Sequence, residues 1–432
     1  MSKIFISTVN CGKAHDADIY GVTISNPFTV TCSGDGFVKL WFNNLLDNET
    51  PKERMVSQFV HKTGVHHVDI FHSVERTGVE FYIISCVSFS GEIFFYSVNT
   101  KNGEMSALEL LTKDEMKKSF WAVKWLKSDD KTLNHRFAAT DVKGNTYIWK
   151  FHPFEQEIDD VEEMKKKLAK EKADKRRTNN RNTPNKDEDN QAEEIEEDQG
   201  PIAVKPHLVL QGVIEPSAPN FATAIDMSIK GLIATGFSSG SVVIAQLTTL
   251  RPIYTFEGFG IQGIEQNSNT VRALKFSPTG NLLAAANDSG SYGCVSLFET
   301  DYGERVGDFT VPSHSNQASI GSYAHSGWVF DLSFNPTGNF LATCGYDSKV
   351  RVWDVKTKER VSTLNLSADD IENEEEILLE DELGDSLKRP PVMGVTYIDK
   401  GVRSGLGNDT NEGLACVCLD RSVRWFREAG GS

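Results

Sequence analysis

Apolar residues along this 432-residue chain come in short bursts separated by turn residues, the spacing of strands rather than helices. The clearest stretch opens on His325-Ser-Gly-Trp-Val-Phe-Asp-Leu-Ser-Phe334 and passes the turn Asn335-Pro-Thr-Gly338. It continues with Leu341-Ala-Thr-Cys-Gly-Tyr-Asp347 and closes on Lys349-Val-Arg-Val-Trp-Asp354. The pattern predicts a strand, a turn, a second strand, a tight turn at Asp347 and a third strand ending on Trp353. The same order is met near the start: Ala14-His15, Ile19-Tyr-Gly-Val22, Thr29-Val-Thr-Cys-Ser-Gly-Asp35 and Phe37-Val-Lys-Leu-Trp41.

Weaker copies follow by hydrophobic pattern over 61–96, 120–149, 221–245, 270–298 and 392–426, which makes seven units. The positions equivalent to the terminal Trp are 41, 96, 149, 245, 298, 353 and 426, most of them 53 to 55 residues apart. Two intervals are longer. One holds the charged run 155–199, nearly devoid of aromatics, which predicts a disordered insert whose deletion leaves the melting temperature nearly unchanged. The other holds an inserted loop, 367–390, with the acidic run Asp369 to Asp385, expected to be solvated and mobile. The last unit lacks residues for an outer strand, and Lys3-Ile-Phe-Ile-Ser-Thr-Val9 is free to supply it. The expectation is one all-β domain over 1–432, a seven-bladed WD-repeat β-propeller closed by its N-terminal strand, with two inserted charged loops.

In such a repeat the His, Ser or Thr, Asp and Trp of a unit form one buried hydrogen-bond network. His15, Thr31, Asp35 and Trp41 are the candidates in one unit, and His325, Thr343, Asp347 and Trp353 in another. A nucleophile reading of these residues is weaker, because they repeat by unit instead of converging on one pocket.

Hydrophobic residues make up 39% of the chain and aromatics 10%, enough for a substantial core. A formal net charge of −16 disfavours direct binding to nucleic acid or an anionic membrane. No apolar run reaches signal-peptide or membrane-helix length, so a cytoplasmic or nuclear protein is expected. Six of the seven cysteines fall in strand-like runs, and Cys416-Val-Cys418 has no second pair at zinc spacing, so neither metal nor cofactor is predicted.

Aligning the first strands on Phe330 gives the column Tyr20, His66, Trp121, Thr223, Arg272, Phe330 and Met393, one residue per blade at the mouth of the central channel. Its content of aromatics and Met is that of a binding hot spot. The competing assignment packs these side chains between blades, since strict alternation puts Phe330 on the face of Leu332 and Phe334. A second column, one residue before the tight turn, holds Phe89, Val142, Tyr346 and Leu419 and would widen the patch. Asp16 or Asp18 would suit an arginine of a bound segment.

Several runs resemble more than a generic repeat: Gly12-Lys-Ala-His-Asp-Ala-Asp18, Phe120-Trp-Ala-Val-Lys-Trp125, Ala139-Thr-Asp-Val-Lys-Gly144 and Ile148-Trp-Lys-Phe-His-Pro-Phe154. Trp353-Asp-Val-Lys-Thr-Lys-Glu-Arg360 and Cys418-Leu-Asp-Arg-Ser-Val-Arg-Trp-Phe-Arg-Glu-Ala-Gly-Gly431 belong with them. Over about 1–154 and 205–431 the chain is similar to the fungal WD-repeat subunit of the superkiller complex. The resemblance implies a non-enzymatic scaffold. Its partners would be a tetratricopeptide-repeat protein and an RNA helicase that feed mRNA to the exosome for 3′-to-5′ decay. It also implies a nuclear role beside the topoisomerase-like protein that cuts DNA in meiotic recombination. In both, the propeller's top face would hold a short Gln-Arg-containing motif ending in a hydrophobe. The alternatives are an enzyme, for which no phosphate-cradling, zinc or nucleophile-elbow motif speaks, and a reader of basic histone or degron segments through the acidic loop.

Overall fold

The computed structural model describes residues 3–43, 49–74, 80–126, 135–152, 206–257, 269–311, 323–399 and 411–429. Among them are seven four-stranded antiparallel sheets, each a blade. The innermost strands are Ile19–Ser25, Val65–Val74, Phe120–Leu126, Ala222–Met227, Val271–Phe276, Val329–Phe334 and Val392–Ile398, for blades 1 to 7 in that order. Each packs on the next, and that of blade 7 packs on that of blade 1, so the ring is closed. The run 155–199 lies outside the described residues.

Burial follows position in the blade. Second strands, such as Phe28–Ser33 and Phe340–Gly345, are buried almost throughout because neighbouring blades cover both faces, and they read as unbroken runs of apolar and small residues. Outer strands, such as Arg251–Phe256, are half exposed. Between the blades lie the large side chains, with Trp41, Trp149, Trp353 and Trp425 fully buried. At the tight turn the backbone is left-handed: Gly36 and Gly144 have φ of +86° and +96°, and Ser348 and Arg421 take the same conformation at +60° and +61° without glycine's freedom.

The strand Phe5–Cys11 pairs antiparallel with Val423–Glu428 and completes blade 7, so the first residues of the chain close the ring. Next to it the acidic loop departs from the mobile segment expected. It is an ordered strap with two 3-10 turns, Ala368–Asp370 and Glu374–Glu376, the first closed by a capping box from Ser367. Ile371 and Leu387 are buried. Asn10 donates to the Asp370 carbonyl at 2.6 Å, Lys13 to the Glu375 carbonyl at 2.7 Å, and Arg424 to the Ser367 carbonyl at 3.0 Å. Lys52 and Arg421 pair with Glu376 and Glu382. Cations from the two ends of the chain, on blades 1 and 7, thus hold a run that is repulsive within itself. Deleting 369–385 is expected to cost about 2 kcal/mol or more through the loss of Ile371 and of the contacts to Asp370, Glu375, Glu376 and Glu382. A melting scan should show a drop of several degrees; an unchanged midpoint would show that the strap only rests on the surface.

Candidate functional site

The two networks form as four-residue relays. His15 Nδ1–H donates to Asp35 at 2.8 Å, Thr31 donates to His15 Nε2 at 2.8 Å, and the Trp41 indole donates to Thr31 at 2.9 Å. His325, Asp347, Thr343 and Trp353 repeat this at 2.8, 2.7 and 2.9 Å. Burial lowers the pKa of both histidines, in spite of the carboxylates beside them. Burial alone would raise Asp35, but the bonds from His15 and from the Phe37 and Asp16 N–H groups bring it down to about 2. The first relay has its donors and acceptors matched; in the second, Arg351 Nη1 also reaches His325 Nδ1 and the Asp347 carboxylate, each at 2.7 Å, and each relay fixes the loop that leads into its blade. Blade 7 substitutes a fully buried Arg424–Asp420 ion pair at 2.6 Å.

At the ring column the innermost strands share a feature that alternation does not reveal. In all seven, the pairing with the second strand skips one residue, between Ile19 and Gly21, Val65 and His67, Phe120 and Ala122, Ala222 and Ala224, Val271 and Ala273, Val329 and Asp331, and Val392 and Gly394. The skipped residues are Tyr20, His66, Trp121, Thr223, Arg272, Phe330 and Met393. A bulge re-aims the side chain of its extra residue. The residue before each bulge is buried between blades, whereas all seven bulged residues are half-buried and line a cavity of about 420 Å³ at the channel mouth. The between-blade assignment for Phe330 therefore fails, because the bulge breaks the alternation on which it rested.

Around this mouth the rings form two arcs. Tyr20 meets Phe89 edge-on at 5.2 Å, Phe89 meets His66 at 4.8 Å, His66 lies on Trp121 at 4.3 Å, and Trp121 meets Phe221 at 4.9 Å. Across the mouth, Tyr346 lies 6.4 Å from both Phe330 and Trp328, and the Arg272 guanidinium sits 4.3 Å over Trp328. Phe89 at 45% and Tyr346 at 55% exposure are large apolar groups left open to solvent. Of the second column, Val142 is exposed and Leu419 half-buried, and of its four members Phe89 lines the cavity while Val142, Tyr346 and Leu419 do not. Asp16 is exposed and its backbone N–H serves Asp35. Asp18 is partly buried, its pKa raised by that burial, with Arg421, Glu382 and Asp381 of the strap's tip close enough to act on it.

Deeper in the channel Lys124 donates to Asp69 at 3.0 Å. Burial pushes His67 down to about 4 and His66 down to about 3, so both are neutral, and pushes Asp331 up to about 6. The unfolded chain then binds more protons at these histidines below their ordinary pKa near 6.5, so stability falls as pH drops from about 6.5 towards 4. Asp331 acts in the opposite sense over the same range, gaining stability as it protonates. Equilibrium denaturation of His67→Asn should lose about 1 kcal/mol less than the native chain between pH 7 and 5.5. Equal losses would mean that His67 protonates as readily folded as unfolded.

The WD domain, G-beta repeat family matches residues 6–41, 251–298 and 317–354. Across 437 aligned residues the chain is 51% identical to "Antiviral protein SKI8" of Saccharomyces cerevisiae, with 100% of both chains covered. The chain belongs to the SKI8 family. Other relatives share only part of the repeat array. Actin-interacting protein 1 of Drosophila melanogaster is 34% identical over 98 residues, 23% of this chain and 14% of its own. Protein hir1 of Aspergillus fumigatus is 26% identical over 206 residues, 47% of this chain and 17% of its own.

For this SKI8-family propeller, three groups at the mouth escape a reading by columns. Trp328 and Phe221 stand two residues before the ring position, as Asp18 does, and project from the loops that enter blades 6 and 4. Asp288 lies at the end of the second strand of blade 5, wholly buried, and holds Arg272 through two bonds of 2.6 and 2.8 Å. A Trp and a Phe recurring at one offset before the ring position were the available signal. Asp288 gave none, because an acid before a turn is ordinarily a capping residue. All seven cysteines are buried, and burial pushes the Cys294 thiol up to about 12.

Proposed function

We propose that this chain is a non-catalytic scaffold of the superkiller complex, holding a short segment of a partner protein over the channel mouth. The bulged ring carries the reading: seven strands each give up one register position to turn a side chain, four of them large and apolar, toward one cavity. Full-length identity to SKI8 supports the choice of complex. The partners are then its tetratricopeptide-repeat and RNA-helicase subunits, and the activity assisted is exosomal 3′-to-5′ mRNA decay in the cytoplasm. A second role in the nucleus, beside the topoisomerase-like protein that starts meiotic recombination, belongs to the same proposal and would use the same mouth. RNA itself is left to the partners, in keeping with the net charge of −16.

Affinity purification of the tagged chain from its own cells, followed by mass spectrometry, tests this. A helicase and a tetratricopeptide-repeat protein should be recovered together, and loss of residues 369–385 should leave both in place. Recovery of histones or ubiquitin-ligase subunits instead, abolished by that deletion, would favour an acidic-loop reader and contradict the proposal.

A further inference from the structure

The mouth is apolar around most of its rim, and Lys124 and Lys275 line the cavity below it. Of the seven ring residues Arg272 alone bears a full charge, and its position is unusually constrained. Nε and Nη2 are committed to the buried Asp288 carboxylate at 2.6 and 2.8 Å, and the guanidinium is stacked 4.3 Å over Trp328 with Phe330 at 5.5 Å. Nη1 has no partner among the described residues, the side chain keeps 26% of its exposure, and it lines the cavity. A buried ion pair is weak evidence of a stabilising role, because its desolvation offsets much of its attraction. A planar donor held at two edges and walled by aromatic rings is instead suited to directional recognition of an oxygen.

We infer that Arg272 is the specificity-determining residue of the mouth, donating from Nη1 to a side-chain oxygen, carboxylate or carboxamide, of the segment bound there. The inference rests on the mouth being the partner site. On that footing the aromatic arcs supply the affinity. Arg272 sets the register, because an apolar residue placed against Nη1 would strip it of water without replacing the bond.

A random-peptide phage library selected on the full chain supplies the probe, with Kd values of the selected peptides measured by fluorescence polarisation. One peptide position should be confined to Asp, Glu, Asn or Gln, and its replacement by Ala should weaken binding about tenfold or more. Exchanging Asp for Asn at that position tells which oxygen is used. Against Arg272→Met/Asp288→Leu, which removes the pair without stranding a buried charge, the Ala replacement should change nothing. An equal loss against both proteins, or no acceptor position at all, would overturn the inference. Should that double variant fail to fold, Arg272→Lys keeps the ion pair but not the planar donor and should lose the same preference; retained preference overturns the inference as well. Trp121→Ala separates the two levels. Selected peptides that it releases but that ignore Arg272 leave the mouth as the site and refute only the role of Arg272. Peptides that bind it undiminished refute both.

Discussion

A chain lacking residues 1–11 is expected to be insoluble or unfolded. The strand Phe5–Cys11 is the outer member of blade 7, and its removal bares the whole backbone edge of Val423–Glu428 at the one seam where the ring is joined by distant parts of the chain. An open edge of that kind invites pairing with other chains. The loss does not stop at the ladder. Lys3 leaves Glu428, which it holds at 2.8 Å, and Cys11 leaves the cluster around Trp41 and Trp425. Asn10 no longer anchors the strap. Several backbone bonds and a buried side chain together reach about 5 kcal/mol, comparable to the whole stability of many domains. Size-exclusion chromatography and circular dichroism decide the matter. A soluble monomer melting with the intact protein would show that the seam is closed by other means.

Much of this architecture was legible because it repeats. His15, Asp35 and Trp41 recur as His325, Asp347 and Trp353, and a spacing held across a chain survives the weaker copies between. The closing strand was legible as an apolar run, Lys3 to Val9, that stands outside every repeat unit. What the pattern could not convey depended on backbone conformation or on distant partners. Alternation placed Phe330 with Leu332 and Phe334, and only a register skip, invisible in residue types, turns it into the channel. The acidic strap read as mobile because a charge run repels itself. Its order comes from Asn10, Lys13 and Lys52 at one end of the chain and Arg421 and Arg424 at the other, which meet only once the ring is closed. Arg272 read as one more ring residue, since its partner Asp288 gave no sign of being buried beneath it.

The other large effect concerns binding. Trp121 and Phe330 stand on opposite arcs, half-buried on their bulges, with His66 and Phe221 against the first and Arg272 and Tyr346 against the second. Truncating either to Ala opens space toward solvent and not a sealed cavity, so the fold should hold. A central aromatic anchor typically contributes about 2 kcal/mol or more to an interface, so losing both should weaken partner binding roughly several-hundred-fold. Were these rings core, each truncation would instead cost about 3 to 5 kcal/mol of folding stability. The decisive measurement is the affinity of Trp121→Ala/Phe330→Ala for the tetratricopeptide-repeat subunit, read beside its melting curve. A native melting temperature with binding lost is the predicted result, whereas a native melting temperature with binding retained would contradict the assignment of the mouth as the partner site.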